Sequence, residues 1–191
     1  MSPTPTARVL HFPQVRRIHL AAMLERFNAA RFRSQSLTHL RRWGLAYAAA
    51  VVGAVWFHSH YALGLNATRS LPGTLYLIER GTIPQRGEHV AFRWAGGGPY
   101  RKGVTFIKLL AGQPGDTVTR DGATFVVAGT AIGQAKQLSR RGEPLQPGPT
   151  GTLPEGSYFV YAPHPDSLDS RYALTGWIAR EQIIGRAHAI L

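Results

Sequence analysis

Downstream of Asn66 the apolar residues arrive in short runs, "HVAFRW" (89–94), "VTFIKLLA" (104–111), "DTVTR" (116–120), "ATFVVAG" (123–129), "SYFVYA" (157–162) and "IIGRAHAI" (183–190), separated by turn residues. Runs this short, rich in β-branched and aromatic residues, read as strands, because a packed helix needs about 10–12 residues with a 3.6-residue period. The spacing predicts a mainly β domain over 66–191, built of curved antiparallel sheets. Twenty-one glycines and thirteen prolines supply the turns. Residues 133–156, rich in Gly, Pro, Arg and Gln, read as a long excursion from the sheet. Cysteine is absent, which excludes a disulfide framework, a thiolate metal site and a cysteine nucleophile.

Upstream lies a different kind of segment. "WGLAYAAAVVGAVWF", Trp43 to Phe57, carries no charge, continues weakly to Leu65, and follows Arg41 and Arg42 directly. It predicts an uncleaved transmembrane anchor over 43–65, with Trp43, Trp56 and Tyr61 at the two interfaces. The net charge of +12 first suggests a nucleic-acid partner, but eight arginines against one acid fall within residues 1–42, leaving a net of +5 for the rest. Charge gathered ahead of an apolar run suits an anionic lipid surface, so membrane lipids are an expected partner and nucleic acid is not. Within this basic tail, Leu20, Met23, Leu24, Phe27 and Ala30 recur at the spacing of an amphipathic helix over about 15–32. Arginine-rich flanks stay in the cytoplasm, which puts 1–42 there and 66–191 on the opposite face.

Three segments carry potential chemistry. Against nineteen arginines the chain has three lysines, and one of them, Lys108, sits inside "VTFIKLLAG". A lysine buried there loses charge to desolvation and becomes a proton acceptor, which arginine cannot; a lysine on the outward face of the same strand is merely solvated, and the run alone allows both. Ser70 in "NATRSLPGTLYLIER" belongs to an extended or turning stretch ahead of Pro72. "PHPDSLDSRYALTGWIAREQIIGRA" (163–187) is dense in hydroxyls and holds Asp166, Asp169 and Arg171, which also suits a structural loop with an ion pair. His58, His60, His164 and His188 lack the arrangement of a metal site, and "WAGGGPY" lacks the lysine of a phosphate loop, so no metal or cofactor is expected.

In order and wording, these segments resemble the bacterial type I signal peptidases. "IKLLAGQPGDTV" is similar to that family's lysine block, which implies Lys108 as general base and Asp116 as structural support. "TRSLP" resembles the nucleophile block and implies Ser70 as nucleophile, with the Thr68 hydroxyl and Ser70 N–H forming the oxyanion hole. "SLDSRY" with "GWI" and "IIGRA" resembles the last block and implies Ser167 as the residue orienting the lysine, with Asp169 and Arg171 as a structural pair. The short Ser70-to-Pro72 spacing, with Leu75 and Tyr76, looks more like the TraF-type peptidases of conjugative transfer, which mature a pilin precursor. The resemblance implies a membrane-bound serine endopeptidase of the bacterial inner membrane, its catalytic domain periplasmic, acting on precursors that carry a leader peptide. The competing class is a non-catalytic membrane-tethered component of a conjugation or secretion apparatus, in which Ser70 and Lys108 are dispensable.

Overall fold

The computed structural model describes residues 29–68 and 70–191. Residues 1–28 of the basic tail, with most of the amphipathic helix expected over about 15–32, lie outside these residues; the rest of the tail, 29–42, is the first part of a helix. The chain divides into two compact units, one ending at Val52 and one running from Gly53 to Leu191.

Helix α1, Ala29–His60, runs through the division. It contains no proline, and Ala48, Ala49 and Ala50 supply its strongest local helix preference. Apolar side chains stand uncovered along it: Leu45 is 89% exposed, and Val51, Val52, Val55 and Trp56 are exposed as well. The strongly apolar stretch Trp43–Phe57 by itself rises about 22 Å in a helix against a hydrocarbon core of about 30 Å, and beyond it the helix adds only His58 to His60. Among the described residues no helix is long and apolar enough to cross a membrane. The helix ends where Ser59 Oγ and His60 Nδ1 both engage the Trp56 carbonyl, at 2.7 and 2.9 Å. Residues 61–65, read from the sequence as the anchor's weak extension, instead form a strand.

The second unit is mainly β, as the spacing of apolar runs predicts. It holds β1 (Tyr61–Leu65), β2 (Leu75–Arg80), β3 (His89–Arg93), β4 (Thr105–Gly112), β5 (Thr117–Asp121), β6 (Thr124–Val127), β7 (Thr130–Gln134), β8 (Gly151–Thr152), β9 (Ser157–Tyr161), β10 (Ile178–Ala179) and β11 (Ile183–Ala189). Seven strands form one sheet in the order β1-β2-β11-β3-β4-β9-β10, and four form a second in the order β7-β6-β5-β8. All pairings are antiparallel. The ladder shifts register at Leu110/Gly112 and Ile183/Gly185, and such bulges bend and twist a sheet.

Successive residues of a strand point to opposite faces, and the core follows that rule. Val90, Phe92, Leu110 and Val160 join one cluster, whereas Tyr76, Ile78, Ala91 and Ile107 join another. Gly64 on β1 lies so close to the second cluster that a Cβ there would meet Ile107 and Ile78 at 2.9 and 3.0 Å. A third cluster, Ala111 and Phe159 with Val118, Phe125, Val127 and Leu153, joins the two sheets.

Candidate active site

Lys108 lies in the middle of β4, opposite Val90 of β3. Its side chain shares a face with Leu110, part of the cluster around Val90, and with Phe106, which packs against that cluster, so the strand's two-residue period carries it inward. It is 5% exposed. Nζ stands 3.2 Å from Ser70 Oγ and 2.7 Å from Ser167 Oγ, and 5.8 Å from the centre of the Phe106 ring. Phe106 is itself held by Trp94, stacked at 4.9 Å, and by the edge of Tyr100 at 5.1 Å. Burial among these groups lowers the ammonium pKa to about 8, while nearby Asp169 pulls it up and Arg171 pushes it down. At pH 7 about one such lysine in ten is therefore a neutral amine, against about one in three thousand at the usual value.

Ser70 is buried, on the loop between β1 and β2. The loop is tied down on both sides of it. Leu71 is buried in the second apolar cluster, and the Tyr76 hydroxyl donates to the Pro72 carbonyl. Gly73 adopts φ +90°, a conformation that a residue with a side chain rarely takes. Asn66 holds the loop from within: its Nδ2 donates to the carbonyls of Leu71 at 2.9 Å and Gly73 at 3.1 Å, and its N–H donates to Thr74 O at 2.9 Å. Thr68 is exposed, with its hydroxyl 3.1 Å from Ser70 Oγ and 3.3 Å from Asn66 Oδ1.

Ser167, Asp169 and Arg171 come from the segment after β9. Asp169 is fully buried and Arg171 is 2% exposed. The guanidinium makes two charge-assisted hydrogen bonds of 2.8 Å to the carboxylate and donates to the carbonyls of Gln134 and Ala162. Asp169 also accepts from Ala162 N–H, and Ser170 Oγ accepts from Val160 N–H. A buried pair with its remaining hydrogen-bonding capacity satisfied holds one geometry, and this one fixes the turn that presents Ser167 to the amine. Asp116 sits elsewhere, in the turn before β5, where it accepts from Gln113 N–H and pairs with Arg86 at 2.6 Å.

The structure thus brings Ser70, Lys108, Ser167 and Thr68 together at a cleft of about 250 Å³, with Asp166, Tyr100 and Phe106 also on its walls. A neutral amine donating to Ser167 retains a lone pair for the Ser70 proton, which is the arrangement an activated nucleophile needs. Among the described residues no three His, Asp or Glu side chains gather as a metal site would require. Sequence reasoning missed Asn66 and the aromatic wall. Asn66 stands four residues before Ser70 in a turn-rich stretch, and an asparagine there signals side-chain to backbone bonding, though not which carbonyls it reaches. Asn66→Ala is expected to lower kcat about tenfold with KM little changed, through loss of two donors and of the Thr68 acceptor; steady-state kinetics on a peptide substrate check this, and an unchanged kcat refutes it.

A family model described as "Signal peptidase, peptidase S26" matches residues 37–191. The chain belongs to this signal peptidase family. The resemblance drawn from the three motif segments is borne out at that level, and the matched range spans all three of them. Signal peptidase I of Pseudomonas aeruginosa is 31% identical over 142 residues, an alignment covering 56% of this chain and 49% of that protein. The chain spans about half the length of this curated relative. A crystal structure of a signal peptidase I from Enterococcus faecalis is similar over 55% of this chain and 97% of its own, with 27% identity and a TM-score of 0.36.

Proposed function

We propose that the protein is a membrane-bound serine endopeptidase that removes leader peptides from exported or pilin-type precursors, with Ser70 as nucleophile and Lys108 as general base. The observation that carries this reading is the 5% exposed Lys108 amine between two serine hydroxyls, in a chain with nineteen arginines and only two other lysines.

The neutral amine takes the Ser70 hydroxyl proton as Oγ attacks the scissile carbonyl. The ammonium then gives that proton to the departing amine, which leaves an acyl-enzyme. Water enters, loses a proton to the same amine and releases the acid. Ser167 orients the amine for each transfer. Thr68 Oγ and the Ser70 N–H stabilise the oxyanion, a contribution of about 2.7–4 kcal/mol per donor in comparable sites. Thr68 must then turn its hydroxyl from Ser70 and Asn66 toward the substrate, a rotation its exposed position allows.

Attachment to the bacterial inner membrane through the uncovered apolar side chains of α1 would keep enzyme and precursor in one plane, the arginine-rich flank in the cytoplasm and the catalytic unit in the periplasm. The short apolar stretch would be accommodated by local thinning of the bilayer or by interfacial Trp43 and His58. The Ser70–Pro72 spacing supports a pilin-type precursor. Co-expression with a leader-bearing precursor tests the reading: wild type should shorten the precursor and Ser70→Ala should leave it full length with expression and membrane fractionation unchanged. Cleavage by the Ser70→Ala protein refutes the assignment.

A further inference from the structure

A second groove, about 510 Å³, adjoins the catalytic cleft and shares Tyr100, Asp166, Ser167 and Leu168 with it. Its far wall is an ordered hairpin in the excursion between β7 and β8. Ser139 N–H donates to Glu143 O at 2.8 Å, Leu145 N–H to Gln137 O at 2.8 Å, and Ser139 Oγ accepts from the N–H groups of Arg141 and Glu143. Gly142 turns the tip at φ +80°. That tip carries Arg140 and Arg141.

Lys136, Arg140 and Arg141 line the groove against two carboxylates, Asp166 and Glu143. Asp166 already pairs with Lys136 and, at 3.7 Å, with Arg140, whose side chain remains 80% exposed. Arg141 has no carboxylate partner among the described residues. Leu138 and Leu174, 55% and 46% exposed, provide apolar footing between the charges. A concave surface with surplus cations and apolar footing, opening into the place where the scissile bond would lie, suits an extended chain more than a flat lipid surface.

The geometry points to a specificity site: the groove takes the stretch of precursor that leaves the cleft past Ser167, and selects for Asp or Glu side chains in it through Arg140 and Arg141. The inference rests on the peptidase reading and deepens it by naming the substrate class.

The test uses the full chain in neutral detergent with three peptides that differ only in two residues beside the cleavage point, Glu, Ala or Lys. Wild type should cut the Glu peptide about tenfold better than the Lys peptide at low salt, the gain lying in KM, because each solvent-facing charge pair contributes a few-fold, and high salt should erase the difference. Arg140→Glu/Arg141→Glu should invert the ranking of the Glu and Lys peptides. An unchanged ranking in this variant overturns the proposal. So does a loss of binding to phosphatidylglycerol vesicles with peptide preference intact, which would give the arginines to lipid headgroups. Should the charge-reversed protein fail to fold, Arg140→Gln/Arg141→Gln must level the ranking or the proposal falls. If no peptide is cut, the peptidase reading fails by itself, and the groove is judged by fluorescence anisotropy of the same labelled peptides: tighter binding of the Glu form supports it and equal binding overturns it.

Discussion

Lys108→Met should fold and bind substrate, yet turn over about 10²–10⁴-fold more slowly, the range associated with a lost general base. Lys108→Arg should be no better, since a guanidinium keeps its proton at any pH the fold survives. In wild type the rate of cleavage should climb with pH and level off above about 8, where the amine becomes neutral. The same shift has a stability signature of opposite kind. A lysine whose pKa falls from 10.5 to about 8 on folding weakens the folded state below about 8, and the loss is recovered as pH rises toward 10.5. The methionine variant should therefore be more resistant to urea than wild type at pH 7, by on the order of 3 kcal/mol, with the advantage vanishing near pH 10.5. Retained turnover in the methionine variant, or a pH-independent wild-type rate between 6 and 9, would remove Lys108 from the mechanism.

The largest expected loss of stability comes from Asp169→Ala. It leaves the guanidinium of Arg171, 2% exposed, without its carboxylate, and breaking a buried pair from one side costs about 3–5 kcal/mol. Asp169→Leu/Arg171→Leu should recover much of that, because the charge that would be stranded is gone. Asp169 also favours the ammonium form of Lys108, so in the milder Asp169→Asn protein the rise of activity with pH should move to lower pH. Urea titration and a pH–rate profile separate the two effects. A single alanine variant as stable as wild type would show that the pair does not hold the Ser167 turn.

The elements legible in the sequence were those with a complete local signature. β3, β4, β5, β6, β9 and β11 each combine a two-residue alternation or a β-branched run with a glycine, proline or aspartate boundary. β1 was hidden because "YALGL" continues the apolar character of the helix before it, and its identity comes from pairing with Leu75–Glu79, across the intervening Ser70 loop. β8 and β10 have two residues each, too few for any period. At the site, Lys108 could be singled out because lysine is rare in this chain, but whether it faced in or out depended on the Phe106 and Val90 packing. Asn66, Tyr100 and the Arg140–Arg141 hairpin act through the assembled loops, and nothing local distinguishes them from ordinary turn residues.

Lys108 is placed by a strand paired on both edges, with β3 and with β9, whereas Ser70 rides a loop held by a few side chains. The two halves of the proposed reacting pair thus differ in how freely they adjust. A compound that wedges against the Ser70 loop, beside Leu71 and Gly73, would silence the chemistry without ever touching the amine, and resistance to it would arise in the loop positions around Ser70 before it arose in the sheet.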